Sequence, residues 1–241
     1  GQPLFRKLEV PNAEITVRRI DQGVYDIAGF VLNFNDTTRR DAENSSLFTD
    51  WLLRQGRIDV TSCKLRFQDL TAKPRARTTT LENINLTFEK NVSSYRAGIQ
   101  GELAGRHENR IDIRTKFTAP LFGDRSWKTW SGELFFGADN LDVARLTRPI
   151  PAARNLLKSG RGSTRTWLKF QDGNPSKLTS YLGLSDVLLT FSKDAEPLQV
   201  KTLSTRLSET LDQGELHAKA ENLNFELSDG TTAQNLLLQT I

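Results

Sequence analysis

Apolar side chains return at every second position along most of this chain, the period of a strand that buries one face and wets the other. The alternation is clear in Ile15/Val17, Phe30/Leu32/Phe34, Ile58/Val60, Leu65/Phe67 and Ile84/Leu86/Phe88. It continues through Ile99/Gly101/Leu103, Ile111/Ile113, Leu134/Phe136, Leu168/Phe170, Leu189/Phe191, Leu216/Ala218/Ala220 and Leu223/Phe225/Leu227. Turn clusters such as Asp21-Gln-Gly23, Phe122-Gly-Asp124, Gln171-Asp-Gly-Asn-Pro175 and Ser228-Asp-Gly230 separate the runs, as hairpins require. The pattern predicts an all-β protein: an antiparallel meander through residues 1–241 as a single sheet system, with a weak subdivision near 149–151.

Two segments carry a helical signature instead. Leu47, Trp51 and Leu52 fall on one helical face, with Ser45 or Ser46 as N-cap and Gly56 at the left-handed C′ position. Pro151 to Gly160 has proline in the first turn and glycine after the last. Short helices are therefore predicted near 46–55 and 151–158, as caps on the sheet.

A degenerate repeat runs through the strands. Gly56-Arg-Ile-Asp-Val-Thr-Ser-Cys-Lys-Leu-Arg-Phe67 reads as glycine, an alternating pair, a one-residue slip of phase and a second alternating pair. Gly132 to Val143 and Gly214 to Phe225 follow the same grammar, and Tyr181 to Phe191 is a looser copy. A slip of one residue turns half a strand inside out unless a bulge absorbs it. Repetition of such bent strands predicts an extended array rather than a compact barrel.

The string Asp50-Trp-Leu-Leu-Arg-Gln-Gly-Arg-Ile-Asp-Val-Thr-Ser-Cys-Lys-Leu-Arg-Phe-Gln-Asp69 resembles the helix-then-strand signature of the AsmA-like family of the YhdP/TamB type. The Gly-Glu-Leu…Asn-Leu-Asp-Val-Ala-Arg-Leu146 segment and Gly214 to Leu227 are similar to that family's repeated units. Cys63 and Lys64 depart from the plainer Ala-Thr-like pair the family pattern suggests. The resemblance implies a U-shaped, extended antiparallel β-groove of repeating strands, carrying the two short helices and lined with apolar residues. It implies phospholipid acyl chains as partner, in the periplasm of a Gram-negative bacterium, with the parent protein anchored in the inner membrane and other envelope proteins as further partners. It carries no catalytic residues. On the shared alternation phase, the expected lipid-groove lining is Phe30, Leu32, Ile58, Val60, Leu65, Phe67, Ile84, Leu86, Leu134, Phe136, Leu189, Phe191, Leu216 and Phe225. Arg57 and Arg66 stand one residue out of that phase and should project outward.

Composition narrows the alternatives. With 26% charged and 37% hydrophobic residues, the 27.2 kDa chain is ordinary for a folded protein. The formal charge of +4 suits an anionic membrane surface or nucleic acid, but a solvated surface rich in arginine is the preferred account of it. No nucleic acid is expected, because the aromatics follow the core period instead of interleaving with basic residues as stacking platforms. The lone Cys63 excludes an internal disulfide and any multi-cysteine zinc site. His107-Glu-Asn-Arg110 lacks the second histidine of a zinc helix, and Lys158-Ser-Gly-Arg-Gly-Ser163 lacks the ending of a phosphate loop. No enzyme activity, metal or cofactor is expected. Asn-x-Ser/Thr sequons at Asn35, Asn44, Asn85 and Asn91 read as chance. Gly1 in place of an initiator Met, and a last run that reads as strand, suggest a piece of a longer protein. The competing reading is a structural or adhesive β-sandwich module whose apolar faces form a sealed core.

Overall fold

The computed structural model describes residues 4–27, 29–33, 51–72, 77–120, 127–142, 157–190, 196–212 and 215–239. They group into two compact units: Gly1–Gly132 with Gln171–Gly173, and Glu133–Phe170 with Asn174–Ile241. Residues 149–151, the predicted subdivision, lie outside the described residues.

The first unit contains β1 (Leu8–Pro11), β2 (Glu14–Asp21), β3 (Val24–Ile27), β4 (Phe30–Asn33), β5 (Arg57–Asp69), β6 (Arg77–Asn91), β7 (Ser94–Leu103) and β8 (Arg106–Thr118). Its strands follow the order β8-β7-β6-β5-β2-β3-β4, with β1 also on β5. The meander from β5 to β8 is antiparallel. At the other side of β5 the alternation alone misleads: β1 and β2 pair with β5 in parallel, Leu8 opposite Ile58 and Glu14 opposite Lys64. Alternation fixes which face a residue takes and is blind to strand direction, so the purely antiparallel expectation fails there.

Residues Trp51–Arg54 form one helical turn just before β5, the described part of the helix predicted near 46–55. Leu53 and Gln55 are fully buried at its end. The Gln55 carboxamide accepts the Phe5 N–H at 2.8 Å and donates to the Trp51 carbonyl at 2.7 Å. Gly56 cannot be larger, because a Cβ would stand 2.6 Å from the Arg6 carbonyl oxygen.

The second unit contains all but the ends of β9 (Ser131–Asp142) and β10 (Leu157–Gln171), with β11 (Asn174–Leu189), β12 (Leu198–Asp212), β13 (Glu215–Leu227) and β14 (Thr232–Gln239), in the order β14-β13-β12-β11-β10-β9. Asp172 (φ 48°) and Gly173 (φ 71°) make the two-residue turn between β10 and β11, with both central residues left-handed as a tight hairpin needs. The helix predicted near 151–158 is corrected at its end. Residues 151–156 lie outside the description, but Leu157 and Lys158 already belong to β10. Gly160, the glycine read as a helix stop, lies inside β10 with φ 147°; two residues on, close strand packing requires Gly162, where a Cβ would meet the Leu184 side chain at 2.4 Å and the Gly183 carbonyl oxygen at 2.8 Å.

Candidate functional site

Register shows how each unit keeps one face apolar along strands of 13 to 16 residues such as β5 and β11. Residues directly opposite in a ladder share a face. In the first unit Ile58 faces Phe88, Val60 faces Leu86, Cys63 faces Ile84 and Leu65 faces Leu81. The rows continue from Leu86 to Ile99, from Phe88 to Ala97 and from Leu81 to Leu103, then from Ile99 to Ile113 and Gly101 to Ile111. From β2, Ile15 stands beside Leu65 and Val17 beside Phe67.

The step from Val60 to Cys63 spans three residues opposite two on β6, and the next step reverses the imbalance. Each strand therefore carries one extra residue, which is the predicted phase slip. Ser62, Asn83, Asn140, Asp186, Asn222 and Asn235 all sit inside strands with φ between 49° and 57°. The residue after each is apolar: Cys63, Ile84, Leu141, Val187, Leu223 and Leu236. A left-handed residue inside a strand marks a bulge, and Asn or Asp tolerates that conformation better than other side chains. Without it, every aliphatic side chain beyond the bend would turn into water.

A bulge takes a backbone N–H out of the ladder, and buried or half-buried N–H groups need a partner. The same side-chain device supplies one in both units. Asn85 Nδ2 donates to the Asn83 carbonyl at 3.1 Å, while Asn85 Oδ1 accepts the Ser62 N–H at 3.2 Å. Asn224 Nδ2 donates to the Asn222 carbonyl at 2.8 Å, while Asn224 Oδ1 accepts the Asn235 N–H at 2.9 Å. The bulges of neighbouring strands are thus clipped together.

In the second unit Leu184 faces Leu203, Val187 faces Val200 and Leu189 faces Leu198. Leu203 faces Phe225 and Leu207 faces Ala220, and Leu223 faces Leu236. Three hydroxyls lie on this face in a closed ring: Thr164 to Thr166 at 3.0 Å, Thr164 to Ser180 at 3.1 Å and Thr166 to Ser180 at 2.8 Å. Each satisfies its neighbour, so the ring presents methyl and methylene groups without orphaned polarity.

Of the residues expected along the lining, Ile58, Val60, Leu65, Phe67, Ile84 and Leu86 share the apolar face of the first unit. Leu189 and Phe225 share that of the second. Leu134 and Phe136 alternate with Phe135, which meets Trp167 on the opposite face, so they take the apolar side. For Phe30 and Leu32 only the backbone is described, opposite Ile27 and Tyr25; likewise Leu216, opposite Leu211. Phe191 lies outside the described residues. The expected set omitted Phe88, Tyr95, Ile99, Phe117, Leu184 and Leu203, which the same alternation marks. Tyr95 stacks between Phe88 (6.1 Å) and Phe117 (5.1 Å), and Phe117 continues to Trp130 (4.3 Å).

The strands of each unit hydrogen-bond into one sheet, and no second sheet occurs among the described residues. Ile58, Val60, Cys63, Ile84 and Phe88 are buried, whereas Leu65, Leu81, Leu86, Ile99, Ile111 and Ile113 remain partly accessible. The face is thus buried around the mid-strand bulges and partly accessible on either side of them.

The opposite face is charged and paired. Arg57 projects outward and bridges Asp59 (2.7 Å) and Glu89, Lys64 meets Glu82 (3.4 Å), and Arg66 meets Glu14 (2.8 Å). The Arg57 hydrogen bond holds the Asp59 carboxyl below the usual carboxylate range. Exposed pairs of this kind are screened by water and salt, so they serve solubility more than stability. His217 stands opposite Thr210 on this face and is exposed. Among the described residues no group of three or more His, Cys, Asp or Glu side chains converges as a metal site. No described helix is long and apolar enough to cross a membrane.

Long bulged strands with one apolar face define an extended β-sheet protein, the array expected from the repeat. The family model described as YhdP protein matches residues 1–240. The chain belongs to the YhdP family. No curated protein and no solved structure matches it.

Proposed function

We propose that the apolar face takes the acyl chains of phospholipids and lets them pass from strand to strand between two bacterial membranes, with headgroups left in water. The observation that carries this reading is the row structure of the apolar face. Val60–Leu86–Ile99–Ile113 and Leu184–Leu203–Phe225 present the same kind of aliphatic and aromatic surface strand after strand. Moving hydrocarbon into water costs about 0.8 kcal/mol per CH₂, so two acyl chains cost on the order of 20 kcal/mol. A wall of Leu, Ile, Val and Phe offsets most of that at every step, and transport then needs only neighbouring positions of similar energy. The closed Thr164–Thr166–Ser180 ring adds no barrier, because its hydroxyls are satisfied before a chain arrives. Little headgroup selectivity is expected, since Arg57, Lys64 and Arg66 on the opposite face are taken by carboxylates.

The role is non-catalytic, and the proposed setting is the periplasm, with the parent protein held in the inner membrane. Purification from a Gram-negative host without detergent, followed by native mass spectrometry and lipid extraction, tests the reading. Phospholipids of mixed headgroup should accompany the protein in proportion to the host membrane. Protein free of lipid that also fails to take up phospholipid from vesicles would instead favour the sandwich-type interaction module.

A further inference from the structure

The end of the first unit where β5 begins and β6 turns into β7 carries two features that folding disfavours. Val92, in the two-residue turn between β6 and β7, has φ 52°. A β-branched side chain is strained in that region, and the first place of such a turn favours glycine. The turns after β2 and β10 do place glycines there, Gly23 and Gly173. Val92 is also 72% exposed, the most exposed large apolar side chain among the described residues. Strain and exposure both cost stability, and an outlier of this kind points to function.

The second feature is charge. Arg57, Glu89, Arg96 and Lys116 stand in one cross-strand row. Arg57 takes Glu89 and Asp59, and Lys7 takes Glu9 and Asp59. No carboxylate is left for Arg96 and Lys116, like charges set directly opposite each other, an arrangement that destabilises a sheet. Arg54, two residues before Gly56, and Arg6, whose carbonyl packs against Gly56, are also exposed and have no carboxylate partner among the described residues. The Gly56 carbonyl accepts the Lys90 N–H at 2.9 Å, which ties this group to the end of β6 beside Val92. Further along the same face the cations are paired, Lys64 with Glu82 and Arg66 with Glu14.

We infer that this end of the first unit docks on an anionic lipid surface, with Val92 entering the headgroup layer and Arg6, Arg54, Arg96 and Lys116 lying against the phosphates around it. An aliphatic tip inside a collar of cations matches the boundary of a bilayer, where apolar burial and attraction to negative headgroups add. A hollow of about 300 Å³ at the foot of the turn, with Gly56, Asn91, Ser94 and Arg96 in its wall, gives a phosphate room beside the guanidinium. A soluble polyanion accounts for the cations alone and leaves Val92 in water. The contact is made by a strand end and not by the apolar face, so it stands or falls independently of the conduit.

Flotation of the whole chain with phosphatidylcholine vesicles, with and without phosphatidylglycerol, tests the inference. The chain should bind the anionic vesicles and not the neutral ones, and release them as salt rises. Arg96→Glu combined with Lys116→Glu should weaken binding at least tenfold. Lys158→Glu combined with Arg161→Glu makes the same change of net charge on the second unit and should bind as the parent does. Val92→Gly relieves the turn, so it should weaken binding several-fold while its melting temperature stays level or rises. Phospholipid carried by each purified variant, measured in parallel, should match the parent's, which separates docking from the conduit. The inference is overturned if neutral vesicles bind equally, if the two double variants weaken binding alike, if Val92→Gly binds as the parent does, or if polyglutamate binds as tightly as the anionic vesicles.

Discussion

Replacing Asn222 tests the device that keeps a long strand apolar on one side. Asn222 has φ 51° within β13, and its own side chain makes none of the clip's bonds, which run from Asn224 to the Asn222 carbonyl and from the Asn235 N–H to Asn224. Asn222→Gly therefore keeps every bond and relieves the backbone. Asn222→Val places a β-branched residue in the left-handed region, at roughly 1–3 kcal/mol. The strand has one escape, which is to give up the bulge and slip its register. That would turn Leu223, Phe225 and Leu227 to the charged side, away from partners Leu236, Leu203 and Val200. Full burial of such side chains is worth about 1.5–3 kcal/mol each, so half of that, three times over, is about 2–4.5 kcal/mol and outweighs all but the upper end of the strain. The bulge should survive, strained. In urea unfolding followed by circular dichroism, Asn222→Val should lose about 2 kcal/mol, a midpoint shift of roughly 1 M at usual slopes. Asn222→Gly should lie within about 0.5 kcal/mol of the parent. Equal stability of the two variants would refute the reasoning.

Gly132→Ala should cost several kcal/mol or prevent folding, because its Cβ would stand 2.2 Å from the Lys116 carbonyl oxygen, whereas Gly183→Ala should be near neutral in the same thermal melt. Leu86→Asp puts a carboxylate between Val60 and Ile99, a polar barrier of several kcal/mol to a passing acyl chain; the variant should stay folded by circular dichroism yet block transfer in the full-length protein. Asp59, Asp69, Glu221 and Asp229 are all held below their ordinary carboxyl values, chiefly by hydrogen bonds from Arg57, the Thr71 side chain, Lys219 and the Thr231 backbone. Carboxyls depressed in the folded state contribute stability that is complete above their unfolded values and vanishes as pH falls through the folded ones, so the melting temperature should be flat from pH 7 to about 5 and drop below about pH 4. Cys63, 1% exposed with Sγ accepting the Ala13 N–H at 3.1 Å, should react with a maleimide only on unfolding.

Much of this architecture is legible in the chain because both signals are local. Alternation names the face, and a slip of phase at Ser62, Asn140 or Asn222 names the bulge, since only a left-handed residue lets Val60 and Cys63 keep the same side. What alternation cannot carry is strand direction, so the parallel seating of β1 and β2 on β5 is invisible until the register is seen. The Pro151 to Gly160 helix signature misleads at its end for a related reason. Its stop signal, Gly160, lies inside β10, where the close approach of the neighbouring strand is set from far along the chain, as Leu184 against Gly162 shows. The aromatic row of the second unit, Phe135 against Trp167 and Trp167 against Tyr181, was readable in principle. Phe135, Trp167 and Tyr181 stand out of phase with their apolar neighbours Leu134, Phe136, Leu168 and Leu182. The clip between Asn85 and Ser62 joins residues 23 apart, and only the recurring Asn-x-Asn of 83–85 and 222–224 hints at it.

The central claim is that hydrocarbon lies on the apolar face and not within a sealed core. Photo-activatable residues placed one at a time at Leu86, Phe136 and, on the opposite face, Arg114 test it directly in cells making the full-length protein. Crosslinked phospholipid should appear at Leu86 and Phe136 across headgroup classes, and none at Arg114. Capture of protein alone at Leu86 and Phe136, with no lipid at either, would contradict the conduit and leave the apolar face as a protein interface.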